Sequence, residues 1–263
     1  MKETLKKMRI ACLKCANKGK DGNLQSAFSA VEILYTLYAK VMDINKIKTS
    51  QEQRDFFILS KGQANLAHLI VMAHAGLLDE KEMETFCQLD SRISMQADRT
   101  KFAYGVENSA GSLGHGFPMA VGVAMGAKLK QTESRVYCLV GDGEMNEGTM
   151  WEACIMASDK RLDNLCMIID DNNSIGRMIQ MGDLKKKLEA FGFSCYQANG
   201  HDPEDLEKVI RRSRKNDGKP VAVLAKTVRG YGSKTLMENN EWFHKYPKEE
   251  ELDILIQEVK EFA

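Results

Sequence analysis

Four prolines in 263 residues (Pro118, Pro203, Pro220 and Pro247) exclude a proline-rich linker. An excess of one charge sign is lacking too: 37 Lys and Arg balance 37 Asp and Glu. Bases such as Lys14, Lys18 and Lys20 are scattered beside acids such as Asp21, so the electrostatic footprint of a nucleic-acid binder is missing. No apolar run approaches the ~20 residues needed to span a bilayer. Met1-Lys2-Glu3-Thr4 opens without the apolar stretch of a secretory signal. Seven cysteines, spread from Cys12 to Cys195, form no disulfide framework. Cys12-x-x-Cys15 has neither a second cysteine pair nor a histidine pair and reads as two helix positions rather than a zinc site. These absences predict reduced thiols and a cytoplasmic protein with no nucleic-acid or membrane partner.

What the chain does have is ordinary apolar content, 43%, with no repeat or low-complexity tract, so disorder is excluded. Leu5, Met8, Ile10 and Cys12, then Val31, Ile33, Leu34, Leu37, Tyr38 and Val41, recur at helical spacing. Beyond them, short apolar runs alternate with helices: 56–59, 136–140, 165–169, 193–196 and 221–225. Asp202-Pro203 opens one helix as N-cap and first-turn proline, and a charged amphipathic helix from Glu249 to Phe262 closes the chain. Continuous apolar strands separated by helices predict an α/β fold, a parallel sheet covered on both faces. Ligands of such sheets bind at the carboxyl ends of the strands.

Two of the runs end in polar clusters suited to that position. Gly141-Asp142-Gly143-Glu144-Met145-Asn146-Glu147-Gly148 allows a phosphate to approach backbone at the start of a helix, with Asp142 as a hard oxygen ligand. Asn172 lies thirty residues further on, after the next strand, and adds an amide oxygen; the Ser174 carbonyl follows. One carboxylate with neutral oxygens, water and ligand phosphates is what Mg²⁺ prefers. Either segment alone reads as a turn or a loop. Paired behind two buried strands, they point to a diphosphate and its metal.

That pairing, with Gly111-Ser112-Leu113-Gly114-His115-Gly116, resembles the amino-terminal part of a transketolase, a thiamine diphosphate enzyme. The similarity extends to Phe28-Ser29-Ala30-Val31-Glu32-Ile33-Leu34, Leu59-Ser60-Lys61-Gly62, 220–226, and Gly230-Tyr231-Gly232 through His244. The motifs stand in family order along nearly the whole chain. The resemblance implies a diphosphate-binding domain spanning residues 1–263, with metal ligands Asp142, Asn172 and the Ser174 carbonyl. Gly141, Asp142, Gly143 and Glu144 would lie along the diphosphate, Asp170 near the aminopyrimidine, and Gly111, Ser112, Leu113, Gly114 and His115 beside the same ring system. Glu147 matches an acid of a network across the subunit interface. Gly122 and Gly126, at four-residue spacing, suit close packing in the core as readily as a cofactor role. The methionines near the motif, Met145, Met150, Met156 and Met167, read as core filler; His68 and His74 read as satisfied core or surface histidines.

Two departures from the family pattern shape the expected function. The pyrimidine-binding and third domains have no counterpart here, and the glutamate that activates the cofactor belongs to the former. The chain therefore resembles the N subunit of a split transketolase, which requires a C subunit, the expected assembly being a heterotetramer. The second departure concerns histidines that hold the ketose hydroxyls. Asn23, Gln63 and Gln96 occupy three of their positions, while His244, by its spacing from Glu238-Asn239-Asn240, keeps the last. Amides hydrogen-bond at similar reach but do not titrate near pH 7. The expected activity is thus transfer of a two-carbon ketol unit from a non-standard ketose, a small sugar or sugar phosphate, to an aldehyde. A decarboxylating acyloin synthase is the alternative enzyme, and it would need a carboxylate-binding Arg or His in the pocket. A non-catalytic cofactor-binding scaffold is the third reading.

Overall fold

The alternation of apolar side chains along each strand divides them between two cores. In a computed structural model describing residues 1–49, 52–109, 111–174, 179, 181–214 and 217–262, the runs form β1 (Phe56–Leu59), β2 (Val136–Gly141), β3 (Leu165–Asp171), β4 (Ser194–Asn199) and β5 (Val221–Lys226). They make one sheet in the order β1-β2-β3-β5-β4, every pairing parallel. Phe57, Leu59, Tyr137, Leu139, Cys166, Ile168, Val221 and Val223 enter one core. Their neighbours Ile58, Val136, Cys138, Val140, Leu165, Met167, Ile169, Ala222 and Leu224 enter the other. Both faces are dry, so each large apolar side chain contributes roughly 1.5–3 kcal/mol of transfer free energy.

Helices supply the covering layers. α1 (Lys2–Gly19), α2 (Leu24–Thr36), α3 (Ile44–Lys48) and α4 (Asn65–His74) precede or follow β1. α5 (Gly116–Leu129), α6 (Gly148–Asp159) and α7 (Leu184–Ala190) bury their apolar sides in the second core. α8 (Pro203–Ile210) opens as expected, the Asp202 carboxylate accepting from the Glu204 amide at 2.9 Å. α9 (Lys234–Glu238) and α10 (Glu249–Glu261) end the chain, α10 packing on α1. No described helix is long and apolar enough to cross a membrane.

All seven cysteines are unpaired; Cys12 and Cys15 are both buried in α1, and burial raises the Cys15 thiol to about 11. Met145, Met150 and Met167 are fully buried, whereas Met156 is 44% exposed and fills no core. Gly122 and Gly126 correct the core-packing expectation: a Cβ at either would meet nothing within 4 Å. The buried stripe of α5 is Phe117, Ala120, Val121, Ala124 and Ala127, and the two glycines fall outside it. His68 is buried, bonded through Nε2 to the Tyr38 hydroxyl at 2.7 Å, and burial lowers its pKa to about 3. Its Nδ1 has no partner among the described residues.

Candidate cofactor and metal site

Register alone builds the floor of the site. Leu59 pairs with Leu139, Gly141 with Asp170, and Asp170 with Ala225, so the ends of β1, β2, β3 and β5 lie in one row. Lys61, two residues past β1, sends its side chain along this row over Gly141, where a Cβ would lie 3.7 Å from the Lys61 Cδ. The lysine reaches the Asp170 carboxylate in a direct ion pair, with both groups buried. Ser29 of α2 donates to the same carboxylate oxygen at 2.6 Å, and Thr227, just past β5, donates to the other. Asp170 is thereby bound by three donors from three segments. A buried charge survives only with such pairing, and removal of one partner from such a group typically costs about 3–5 kcal/mol.

The second feature is the convergence of Asp142, Asn172 and Ser174. The Asp142 carboxylate accepts from the Ser174 hydroxyl at 2.6 Å, the Ser174 amide at 2.9 Å and the Gly143 amide at 2.7 Å. The Ser174 amide also lies 3.0 Å from the Asn172 Oδ1. Burial pushes the Asp142 pKa up, while its hydrogen bonds from Ser174 and Gly143 work the other way. No cluster of three His, Cys, Asp or Glu side chains suited to a metal occurs among the described residues. A cation here would take one carboxylate, neutral oxygens and the oxygens of a bound phosphate, a donor set that fits Mg²⁺ and disfavours zinc.

A buried bracket fixes the glycine turn above this floor. Glu144 accepts from the Ser60 hydroxyl at 2.5 Å and the Gly114 amide at 2.8 Å with one oxygen, and from the Gly141 amide at 3.3 Å with the other. Ser60 in turn accepts from the Phe117 amide at 3.1 Å at the start of α5. Burial raises the Glu144 pKa, and four hydrogen-bonding and charged neighbours oppose that shift. Glycine is required at Gly116, where a Cβ would lie 2.5 Å from the Ser60 Cα. Gly116→Ala must push α5 off β1, so we expect a loss of about 2 kcal/mol or more. Urea unfolding checks this, and an unchanged midpoint would show that the start of α5 is not held against Ser60.

These groups surround a cleft of about 270 Å³ lined by Ser26, Lys61, Gln63, Leu113, Gly141, Asp142, Gly143, Glu144, Asn172, Ser174, Arg229 and Phe243. Of the expected substrate residues, Gln63 lines the cleft. Asn23 is buried at the N-terminus of α2, with its Oδ1 lacking a partner among the described residues. Gln96 is exposed and absent from the cleft wall. His244 is also exposed, its Nε2 4.0 Å from the Asp21 carboxylate, while its neighbour Phe243 lines the cleft. Leu113 reaches the cleft; Gly111, Ser112 and His115 are exposed, as is Glu147, against which the Gly114 turn packs. Lys61, Ser29, Thr227, Ser60 and Arg229 belong to the site without a motif that gives them a role. For Ser60, Lys61 and Thr227 the signal in the sequence is position, since Ser60 and Thr227 directly follow strands and Lys61 comes one residue later.

Comparisons with known proteins identify the family. Residues 1–259 match the thiamine diphosphate binding domain family of transketolase. The chain is 34% identical over 252 residues to a subunit of the apulose-4-phosphate transketolase of Actinobacillus succinogenes, covering 94% of this chain and 90% of that protein. It is 33% identical over 266 residues to human transketolase, covering 98% of this chain and 42% of that protein. The crystal structure of transketolase from Campylobacter jejuni superposes with a TM-score of 0.89 at 28% identity, over 98% of this chain and 42% of that one. The chain thus spans about two fifths of these full-length transketolases. It belongs to the transketolase family, thiamine diphosphate-dependent transferases, and corresponds to their thiamine diphosphate-binding domain.

Proposed function

We propose that this chain is the cofactor-binding half of a two-component transketolase. The observation that carries the reading is the meeting of Asp142, Asn172 and Ser174 beside Gly143 at the carboxyl ends of β2 and β3. Asp142, the Asn172 amide oxygen and the Ser174 carbonyl hold Mg²⁺, and the Gly143 amide faces the diphosphate. Asp170, fixed by Lys61, Ser29 and Thr227, aligns the aminopyrimidine end. Glu144 keeps the Gly114 turn against that ring system. When bound, thiamine diphosphate supplies the carbon nucleophile and electron sink for cleavage of the bond next to a ketose carbonyl. Gln63 on the cleft wall binds a hydroxyl of the two-carbon unit, and Asn23, whose buried Oδ1 lacks a partner among the described residues, is the second amide proposed for those hydroxyls.

The similarity to a subunit of apulose-4-phosphate transketolase supports a ketose phosphate of that kind as donor, and a separate C subunit that completes the enzyme. The cleft, at ~270 Å³, is below the roughly 300–1,000 Å³ of most ligand pockets, as befits a site completed by another surface. The assembly proposed is two copies of each subunit. Activity is expected only when the purified chain is mixed with a pyrimidine-binding C subunit, read as formation of a ketose two carbons longer than the aldehyde acceptor when apulose 4-phosphate is the donor. Turnover by the chain alone refutes the two-component reading. Arg229 on the cleft wall also meets the requirement of a decarboxylating donor, so pyruvate is the second donor to assay. Release of CO₂ would favour the acyloin synthase.

A further inference from the structure

Resting on the cofactor-site reading above, we propose that His201 is a positioning residue for the aminopyrimidine end of the site, acting through the Val228 amide and Thr227. His201 stands between β4 and α8, outside the cleft wall, with its side chain 7% exposed. Gly200 brings it there: a Cβ at that position would lie 2.2 Å from the Thr227 Cγ2 and 2.8 Å from the Lys226 carbonyl oxygen. Only glycine lets the two segments come so close, and the Gly200 amide donates to that same carbonyl at 2.8 Å. The imidazole then reaches the residues that leave β5. Its Nε2 accepts from the Val228 amide at 2.8 Å, so the proton of the neutral ring sits on Nδ1, 3.2 Å from the Glu32 carboxylate.

Two further contacts fix the ring. Tyr231 stacks on it, the centroids 3.5 Å and the planes 10° apart, and the Tyr231 carbonyl accepts from the Arg9 Nε at 2.7 Å. Arg9 also pairs with Glu32 at 2.7 Å, so the carboxylate that selects the tautomer is itself buried and held. The consequence falls on Thr227. Its own amide donates to the Asp171 carbonyl at 3.2 Å, and the next amide along the chain is the one His201 holds. With the backbone secured on both sides, the Thr227 hydroxyl is aimed at the Asp170 carboxylate, the group assigned to the aminopyrimidine. The diphosphate end is built instead by Asp142, Gly143 and Ser174, after β2 and β3. Loss of the Nε2 acceptor should therefore weaken recognition of the pyrimidine and spare that of the diphosphate.

The test is calorimetry on the full chain with Mg²⁺, titrating thiamine diphosphate and inorganic pyrophosphate separately. His201→Asn keeps a donor near Glu32 but is too short to accept from Val228. It should weaken thiamine diphosphate roughly tenfold, the range for one hydrogen bond lost in a buried site, and leave pyrophosphate within about twofold. His201→Gln, whose side-chain oxygen reaches the place of Nε2, should recover most of that loss. Equal weakening of both probes, unchanged thiamine diphosphate binding by His201→Asn, or a Gln variant no better than the Asn variant overturns the proposal. Nitrogen NMR of the parent needs no variant and so holds even if His201→Asn does not fold. It should show the His201 proton on Nδ1 and a bare Nε2; a proton on Nε2 overturns the proposal. Asp142→Ala is the control for the underlying reading: if it leaves magnesium pyrophosphate binding intact, the metal assignment fails, whatever His201→Asn does. A parent chain that binds neither probe overturns both.

Discussion

Replacing Asp142 with alanine should abolish Mg²⁺-dependent binding of thiamine diphosphate and leave the fold nearly intact. The carboxylate is the one charged group among the three proposed metal ligands, and it organises the other two through the Ser174 hydroxyl and amide. Without it, the metal would have only neutral oxygens and the diphosphate to bind, a weak set for a hard divalent cation. The effect on the apoprotein is small for a separate reason. Burial has already raised the pKa of this carboxyl, so the folded state holds its charge at a cost, and the hydrogen bonds from Ser174 and Gly143 offset that cost. The neighbouring strands β2 and β3 are packed through other side chains. The thermal signature is correspondingly clear. Cofactor with Mg²⁺ at a hundred times its dissociation constant stabilises the native state by about 2.7 kcal/mol. For a chain of this size that is roughly 5–10 °C in Tm. The parent should show this shift and Asp142→Ala should not, while their cofactor-free melting temperatures lie close together. A variant that keeps the shift would remove Asp142 from the metal site.

The parts of this site that can be read from sequence are those built by consecutive residues. Gly141-Asp142-Gly143 and Asn172 each follow an apolar run, so position on the chain already places them at strand ends, and strand register then brings them together. The strands themselves are legible because burial on both faces demands unbroken apolar runs. Even there the apolar runs stop short of the strand ends: β3 continues to Asp171 and β5 to Lys226, where polar side chains still pair along the ladder. The groups that sequence does not connect are those whose partners are distant along the chain. Lys61 and Asp170 are brought together by a sheet order that no local pattern encodes. Arg9, Glu32 and His201 form a buried cluster from three segments, with Arg9 2.7 Å and His201 3.2 Å from the Glu32 carboxylate. In sequence, Glu32 is only a charged residue inside an apolar helix; its partners explain it. Gly122 and Gly126 fail in the opposite sense. Their spacing is a local signal, but which face of α5 turns inward is set by where Phe117 and Ala124 pack.

Restoring histidine at positions 23, 63 and 96 should raise kcat/KM for xylulose 5-phosphate in the reconstituted enzyme, from a low parent value, by two orders of magnitude or more. The structure separates the three residues. Gln63 lines the cleft, Asn23 is buried with a carbonyl oxygen that lacks a partner among the described residues, and Gln96 is exposed. A pocket built from fixed amide donors and acceptors rejects a ligand whose hydroxyls do not match, because each unpaired buried group costs roughly 1–3 kcal/mol. At about tenfold per 1.4 kcal/mol, two mismatched groups suffice for that loss. Gln63→His alone should therefore recover much of the activity, and Gln96→His alone should recover little unless a partner surface encloses that position. Asn23→His carries a cost of its own, since the larger ring must enter a site that is 2% exposed. Its effect on folding has to be measured by urea unfolding alongside the kinetics. Amides and imidazoles also differ in proton transfer, so the histidine variants should gain a titration near neutral pH that the parent rate profile lacks. If the parent already processes xylulose 5-phosphate at the rate of an ordinary transketolase, Asn23, Gln63 and Gln96 are tolerated substitutions and specificity lies in the C subunit.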